Sequence, residues 1–122
     1  MSIIGNAVTV GGGGGGAPEL LWTNSAAVTA SFPSQTVSLP AGYSAYLVEF
    51  RLHRLYPQIL GTLYVPFGGY RCTAALSGYT YPDNNAYRRI NSVSDGAIAF
   101  STSTNNNNDY IPTRIWGVKW TI

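Results

Sequence analysis

One histidine (His53), one cysteine (Cys72) and five carboxylates (Glu19, Glu49, Asp83, Asp95 and Asp109) are the groups from which this 122-residue chain could build an acid–base or metal site. A zinc centre takes three or four nitrogen, sulfur or carboxylate ligands, and a single histidine with a single cysteine and scattered acids is too thin a set. The expectation is therefore no metal and no cofactor. For a serine–histidine–aspartate triad His53 is the sole base, yet it sits between Arg51 and Arg54 in a strand-like stretch with no Gly-x-Ser-x-Gly turn. It reads as a surface histidine. Glycoside hydrolysis needs two carboxyl groups about 5–10 Å apart. Asp83 and Asp109 could flank a sugar if their loops met, but aspartates in turns more commonly cap backbone amides. The chain is expected not to be an enzyme.

The glycine run Gly11–Gly16 lacks the following Lys-Ser/Thr of a phosphate-cradling loop, so nucleotide binding is not expected. A net charge of +2 lacks the dense basic stripe that contacts a phosphate backbone, which argues against nucleic acid. Arg88 and Arg89, the only basic pair, point to opposite faces of a strand and read as surface or carboxylate-paired arginines. The strongest ligand signal is aromatic. Tyr79, Tyr81, Tyr87 and Tyr110 lie beside Asn84, Asn85 and Asn105–Asn108, and flat rings with amide donors suit sugar rings or a partner's surface. Tyr79, Tyr81, Asn84, Asn85 and Tyr110 are the candidate ligand contacts, with a place at the core edge or a subunit interface as the plainer alternative.

These loops need strands to hold them. Gly, Pro, Asn, Ser and Thr punctuate the chain about every ten residues and apolar residues do not recur at helical spacing, so the class expected is all-β. Tyr46, Val48, Phe50 and Leu52 alternate with Leu47, Glu49, Arg51 and His53; Val37 and Leu39 point inward ahead of a Pro40-Ala41-Gly42 turn. Asp95-Gly96 joins two strands in a tight hairpin. In the final strand Trp116, Val118, Trp120 and Ile122 share a face, which implies an apolar layer beneath it. Seven or eight short strands predict an antiparallel β-sandwich or jelly-roll-like head.

Ahead of the head, at 19–122, stand an arm at 1–10 and a glycine-rich linker at 11–18. Ile3, Ile4, Val8 and Val10 make the arm too apolar to be left in water and too short to fold alone. Such a segment suits addition to a neighbour's open sheet edge. Gly11, Gly12, Gly13, Gly14, Gly15 and Gly16 give it an r.m.s. reach of about 14 Å. Charged residues make up only 10% of the chain, against about 25% in an average domain, and a neutral polar surface of this kind suits permanent assembly or extracellular exposure. No stretch approaches the roughly 18 apolar residues of a membrane span.

The segments Leu20-Leu21-Trp22-Thr23-Asn24, Ser31-Phe32, Gln35–Leu39, Gly42-Tyr43 and Leu47-Val48-Glu49 resemble a family of small tail-associated virion proteins encoded by phages and prophages of gut bacteria. Tyr87-Arg88-Arg89, Gly96–Phe100, Ile111-Pro112 and Ile115–Lys119 extend the resemblance over nearly the whole chain, as does the opening arm and glycine run. It implies a virion component, made in the host bacterial cytoplasm, with no known catalytic residue. The partners it points to are copies of itself, by analogy a homotrimer, other virion proteins of a tail fibre or baseplate, and host surface glycans. A capsid-decorating or head-fibre protein and a carbohydrate-binding or hydrolytic module are the alternatives.

Overall fold

A computed structural model describes residues 17–27, 29–67, 72–77 and 85–119. Eight strands run in chain order: β1 (Glu19–Thr23), β2 (Gln35–Ser38), β3 (Ala45–His53), β4 (Tyr56–Pro66), β5 (Cys72–Ser77), β6 (Asn85–Ser94), β7 (Ala97–Ser103) and β8 (Asp109–Val118). They form two four-stranded antiparallel sheets, ordered β1-β8-β3-β4 and β2-β7-β6-β5. The all-β sandwich expected from the sequence is the fold observed. The chain alternates between sheets over β1, β2 and β3 and again from β7 to β8. The β3–β4 hairpin and the β5-β6-β7 meander interrupt the regular alternation of a jelly roll.

The core is the period-2 pattern made three-dimensional. Tyr46, Val48, Phe50, Val65, Ile111 and Ile115 face inward from one sheet; Val37, Ile90, Val93, Ile98 and Phe100 face them from the other. Phe32, from the β1–β2 connection, packs edge-on against Phe100 with ring centroids 5.4 Å apart. The last strand is apolar on both faces. Ile115 enters the main core, while Trp116 and Val118 group with Leu47 on the opposite face of the sheet. The apolar layer that the Trp116–Val118 face implied is therefore this smaller outer cluster; Trp120 and Ile122 lie outside the described residues.

One end of the sandwich is stitched at the Asp95-Gly96 hairpin. Gly96 takes φ +110°, a conformation that glycine adopts without the Cβ penalty. Both carboxylate oxygens of Asp95 accept from the Gly42 amide at 2.8 and 2.9 Å, and Oδ1 also accepts from the Tyr43 amide at 3.1 Å. Gly96 in turn donates to the Tyr46 hydroxyl at 2.7 Å and accepts from the Leu39 amide at 2.8 Å. These bonds lock the corner where β2 passes to β3 in the other sheet.

Candidate functional site

The opposite end holds the chain's densest polar chemistry, and Arg88 is at its centre. On β6, Ala86, Arg88 and Ile90 share the inward parity, and all three are fully buried; Tyr87 and Arg89 point out. Arg88 therefore occupies a core position at the sheet's end. Nε donates to the Tyr110 carbonyl at 2.7 Å, and Nη1 to the carbonyls of Phe32 at 2.7 Å and Ser101 at 3.0 Å. Nη2 donates to Ser103 Oγ and the Asp109 carbonyl, both at 3.0 Å, and to the Asn107 carbonyl at 3.4 Å. Five guanidinium protons serve six acceptors, so the longest contact is a shared one. The guanidinium also lies 5.1 Å from the centre of the Phe32 ring. Burial pulls its pKa down to about 10, with the Asp109 charge opposing, so it stays cationic at neutral pH.

The carbonyls that Arg88 collects come from a backbone that strand pairing cannot satisfy. The single helical turn among the described residues, Thr104–Asn107, carries left-handed conformations at Asn105 (φ 56°) and Asn106 (φ 56°), and Asn107 (φ 65°) and Tyr110 (φ 44°) are also left-handed. Asparagine is the side chain that enters this region at least cost, because its short amide bonds locally. Here the amides do so. Asn107 Oδ1 accepts from the Ser103 amide at 2.9 Å, and Asn108 Oδ1 accepts from Arg54 Nε at 2.7 Å. The Asn107 carbonyl takes the Phe32 amide at 2.9 Å, tying in the β1–β2 connection.

His53 stands beneath this turn, only 3% exposed. Its Nδ1 accepts the Leu55 amide at 3.0 Å, which makes the neutral ring the Nε2–H tautomer. Asn105 Nδ2 lies 3.0 Å from Nε2, and which of the two nitrogens donates follows the ring's tautomer. Burial lowers the His53 pKa, the Asp109 charge opposes and Arg54 reinforces the lowering. Asp109 is itself fully buried, and its Oδ2 accepts from Thr104 Oγ1 at 2.5 Å.

Several expectations change at this end. His53 is buried, not on the surface. The register of β3 shifts between Phe50 and Arg51 and again before His53, so the alternation that put His53 on the face of Glu49 no longer applies. Arg88 is neither a surface arginine nor a carboxylate-paired one. The available signal was its parity with Ala86 and Ile90, which places an arginine at an inward position of a strand. Asp109 has no exposed carboxylate with which to meet a sugar. Tyr110 is withdrawn as a ligand contact: it is 7% exposed, and its ring packs 5.4 Å from Phe50. Asn105, Asn107 and Asn108 spend their side chains within the fold, and only Asn106 of the four is exposed. Tyr87 remains on the surface beneath Arg89, whose guanidinium lies 5.6 Å from its ring centre. Tyr79, Tyr81, Asp83 and Asn84 lie outside the described residues, as does the side chain of Asn85. So do Ile3, Ile4, Val8, Val10 and Gly11–Gly16.

The remaining charges are engaged elsewhere. Arg114 grips Glu49 with two bonds, Nε to Oε1 at 2.9 Å and Nη2 to Oε2 at 2.8 Å, while Thr113 Oγ1 donates to Oε1 at 2.7 Å. Burial raises the Glu49 pKa, but the bonds from Arg114 and Thr113 outweigh it and the net shift is downward. Arg51 Nε donates to the His53 carbonyl, Lys119 lies over the Tyr43 ring, and Glu19 bonds the Tyr43 hydroxyl. Each charged side chain of the described residues is thus engaged within the chain. No protein-family model, curated protein or solved structure matches this sequence. What speaks for the site is its geometry. That geometry is a latch which closes one end of a sandwich.

Proposed function

We propose that this chain is a structural component of a phage particle, a β-sandwich head fixed by its apolar arm and glycine tether to other virion proteins of a tail fibre or baseplate. The observation that carries the reading is that the buried and turn-forming charges are spent inside the head: Arg88 on carbonyls, Glu49 on Arg114 and Thr113, Asp95 on the Gly42 and Tyr43 amides. A head so internally satisfied and so poor in charge suits a permanent assembly, in which solubility does not depend on dispersed charge. The uncharged arm is the segment left to make the attachment. Host glycans are the ligand class for segment 78–84, whose Tyr79, Tyr81 and Asn84 match sugar chemistry.

The test is incorporation. Particles are assembled with the wild-type chain or with a chain lacking residues 2–16, and copies per particle are counted by quantitative mass spectrometry. Loss of the truncated chain from particles, with its unfolding midpoint unchanged in solution, is the expected result. Entry at the wild-type copy number would sink the anchoring role. A copy number in the hundreds would move the protein from the tail to the capsid surface.

A further inference from the structure

The four sheet edges of the head are unequal. β2 has four residues, β1 five and β5 six, and β1 begins on the charged Glu19. β4 has eleven, and among the described strands none is paired to its outer side. Between Pro57 and Pro66 its sequence, Gln58-Ile59-Leu60-Gly61-Thr62-Leu63-Tyr64-Val65, holds no charged residue. Ile59 is 51% exposed there. A long, uncharged edge strand is a template for another strand, and proteins that do not use such an edge guard it with lysine, an inward charge or a short length. β4 carries none of these; of the other guards, proline stands only at its two ends, Pro57 and Pro66, and register shifts against β3 on either side of Ile59 leave residues 61–65 as its evenly paired stretch.

The chain also holds a segment whose sequence suits an added strand. The ten residues before the glycines are uncharged in their side chains, contain no proline and alternate Ile4, Val8 and Val10 on one parity. Their tether enters the head at β1, which is the opposite edge of the sheet that ends in β4. A strand added beyond β4 would lie four strand spacings from β1, about 19 Å. The r.m.s. reach of six glycines is roughly 14 Å, so the chain's own arm would get there only with its tether drawn out close to full extension across the sheet face. A neighbouring copy meets no such obstacle. Donor on one edge and acceptor on the other is a head-to-tail arrangement, which closes into a ring when the rotation between copies allows it.

We propose that the arm of a second copy, residues 1–10, adds to β4 between Gln58 and Val65 as a further strand of the β1-β8-β3-β4 sheet. This rests on the anchoring role given to the arm above, and it names the first surface that the arm occupies. Main-chain hydrogen bonds supply affinity, and alternate arm side chains set the register.

The test is site-directed crosslinking in full-length chains carrying Cys72→Ser. One chain carries Val8→Cys and the other Ile59→Cys; they are mixed, oxidised mildly and run on a denaturing gel. A disulfide-linked dimer is expected, with background yield when Ile59→Cys is replaced by Gln35→Cys on β2. Equal yields at both edges would overturn the proposal. So would a purely intrachain link in a chain bearing both Val8→Cys and Ile59→Cys and diluted into cysteine-free protein. In sedimentation, Ile59→Lys weakens self-association by about tenfold or more, as removal of residues 2–16 does, because a lysine on the edge opposes strand addition. Unchanged association overturns the proposal. If the arm is needed for particle entry yet no link to β4 forms, the edge assignment falls and the anchoring role stands. A link to β4 in a chain that enters particles without its arm gives the reverse.

Discussion

Replacing Arg88 with methionine keeps the length of the side chain and removes every bond it makes. Five carbonyls then lose a bond, those of Phe32, Ser101, Asn107, Asp109 and Tyr110, and of these Asn107 keeps the Phe32 amide. At about 1.5–3 kcal/mol for a hydrogen bond to a charged group, six contacts would sum to roughly 9 kcal/mol or more. That sum is a ceiling. The Asn105–Asn108 turn lies at an end of the sandwich and can open, so its carbonyls regain water, and the cost falls towards the roughly 3–5 kcal/mol of breaking a buried ionic arrangement. Against a total of about 5–15 kcal/mol for a head of this size, the variant keeps its fold only narrowly. Denaturant and thermal unfolding would show it, with the melting point down by about 12–24 °C for the lower figure.

The comparison that isolates the latch is Arg89→Met on the outward face of the same strand. It should stay within about 0.5 kcal/mol of the wild type. Arg88→Lys should recover only part of the loss, because three protons on a single nitrogen cannot reach acceptors spread around a planar fork. Hydrogen exchange adds a local readout: the Phe32 amide, held by the Asn107 carbonyl, and the Ser103 amide, held by Asn107 Oδ1, should exchange faster in Arg88→Met. A loss of less than about 1 kcal/mol, or slow exchange at both amides, would refute the reasoning that the buried cation holds this end closed.

Asn106, exposed at φ 56°, should tolerate Asn106→Gly without loss, while Asn106→Ala costs about 1 kcal/mol in denaturant unfolding. Gly117 faces the Tyr43 ring so closely that an added Cβ would stand 2.4–2.7 Å from its carbons; Gly117→Ala should cost about 1–3 kcal/mol and disturb the Tyr43 environment in near-ultraviolet circular dichroism. Stability should fall with acid in two stages. His53, depressed by burial below the 6.5 of the unfolded chain, stabilises the fold above that pH, and its contribution is lost as pH drops through the folded value. Glu49, held below 4.5 by Arg114 and Thr113, contributes above that pH and loses its contribution lower still. Unfolding midpoints between pH 8 and pH 3 would show both stages, and His53→Gln should remove the first.

The strands were legible because their side chains obey one constraint, burial on a single face, which alternation records directly. Val37 and Leu39, or Tyr46, Val48 and Phe50, have the same meaning in the sequence and in the core. The Asp95-Gly96 turn was legible for a similarly local reason, since the positive φ it needs is written in the glycine. β1 carried no such mark. Five residues with a register shift between Leu20 and Trp22 give too short and too irregular an alternation to stand out.

The polar end illustrates what alternation does not record. An asparagine run is equally consistent with a solvated tip and with a chain of left-handed residues whose amides bond inward, because both exploit the same tolerance of unusual backbone. Which one forms depends on whether a donor waits beneath, and that donor is Arg88, some 17 residues earlier in the chain than Asn105. The parity of Ala86, Arg88 and Ile90 marked the arginine as inward-facing, but reading it so requires accepting a buried charge. That charge is tolerable only once six acceptors converge on it. Convergence is a property of the tertiary fold. The arginine and the turn thus specify each other: without the turn the cation has no reason to be inside, and without the cation the carbonyls of Asn107, Asp109 and Tyr110 lose the charged donor that gathers them.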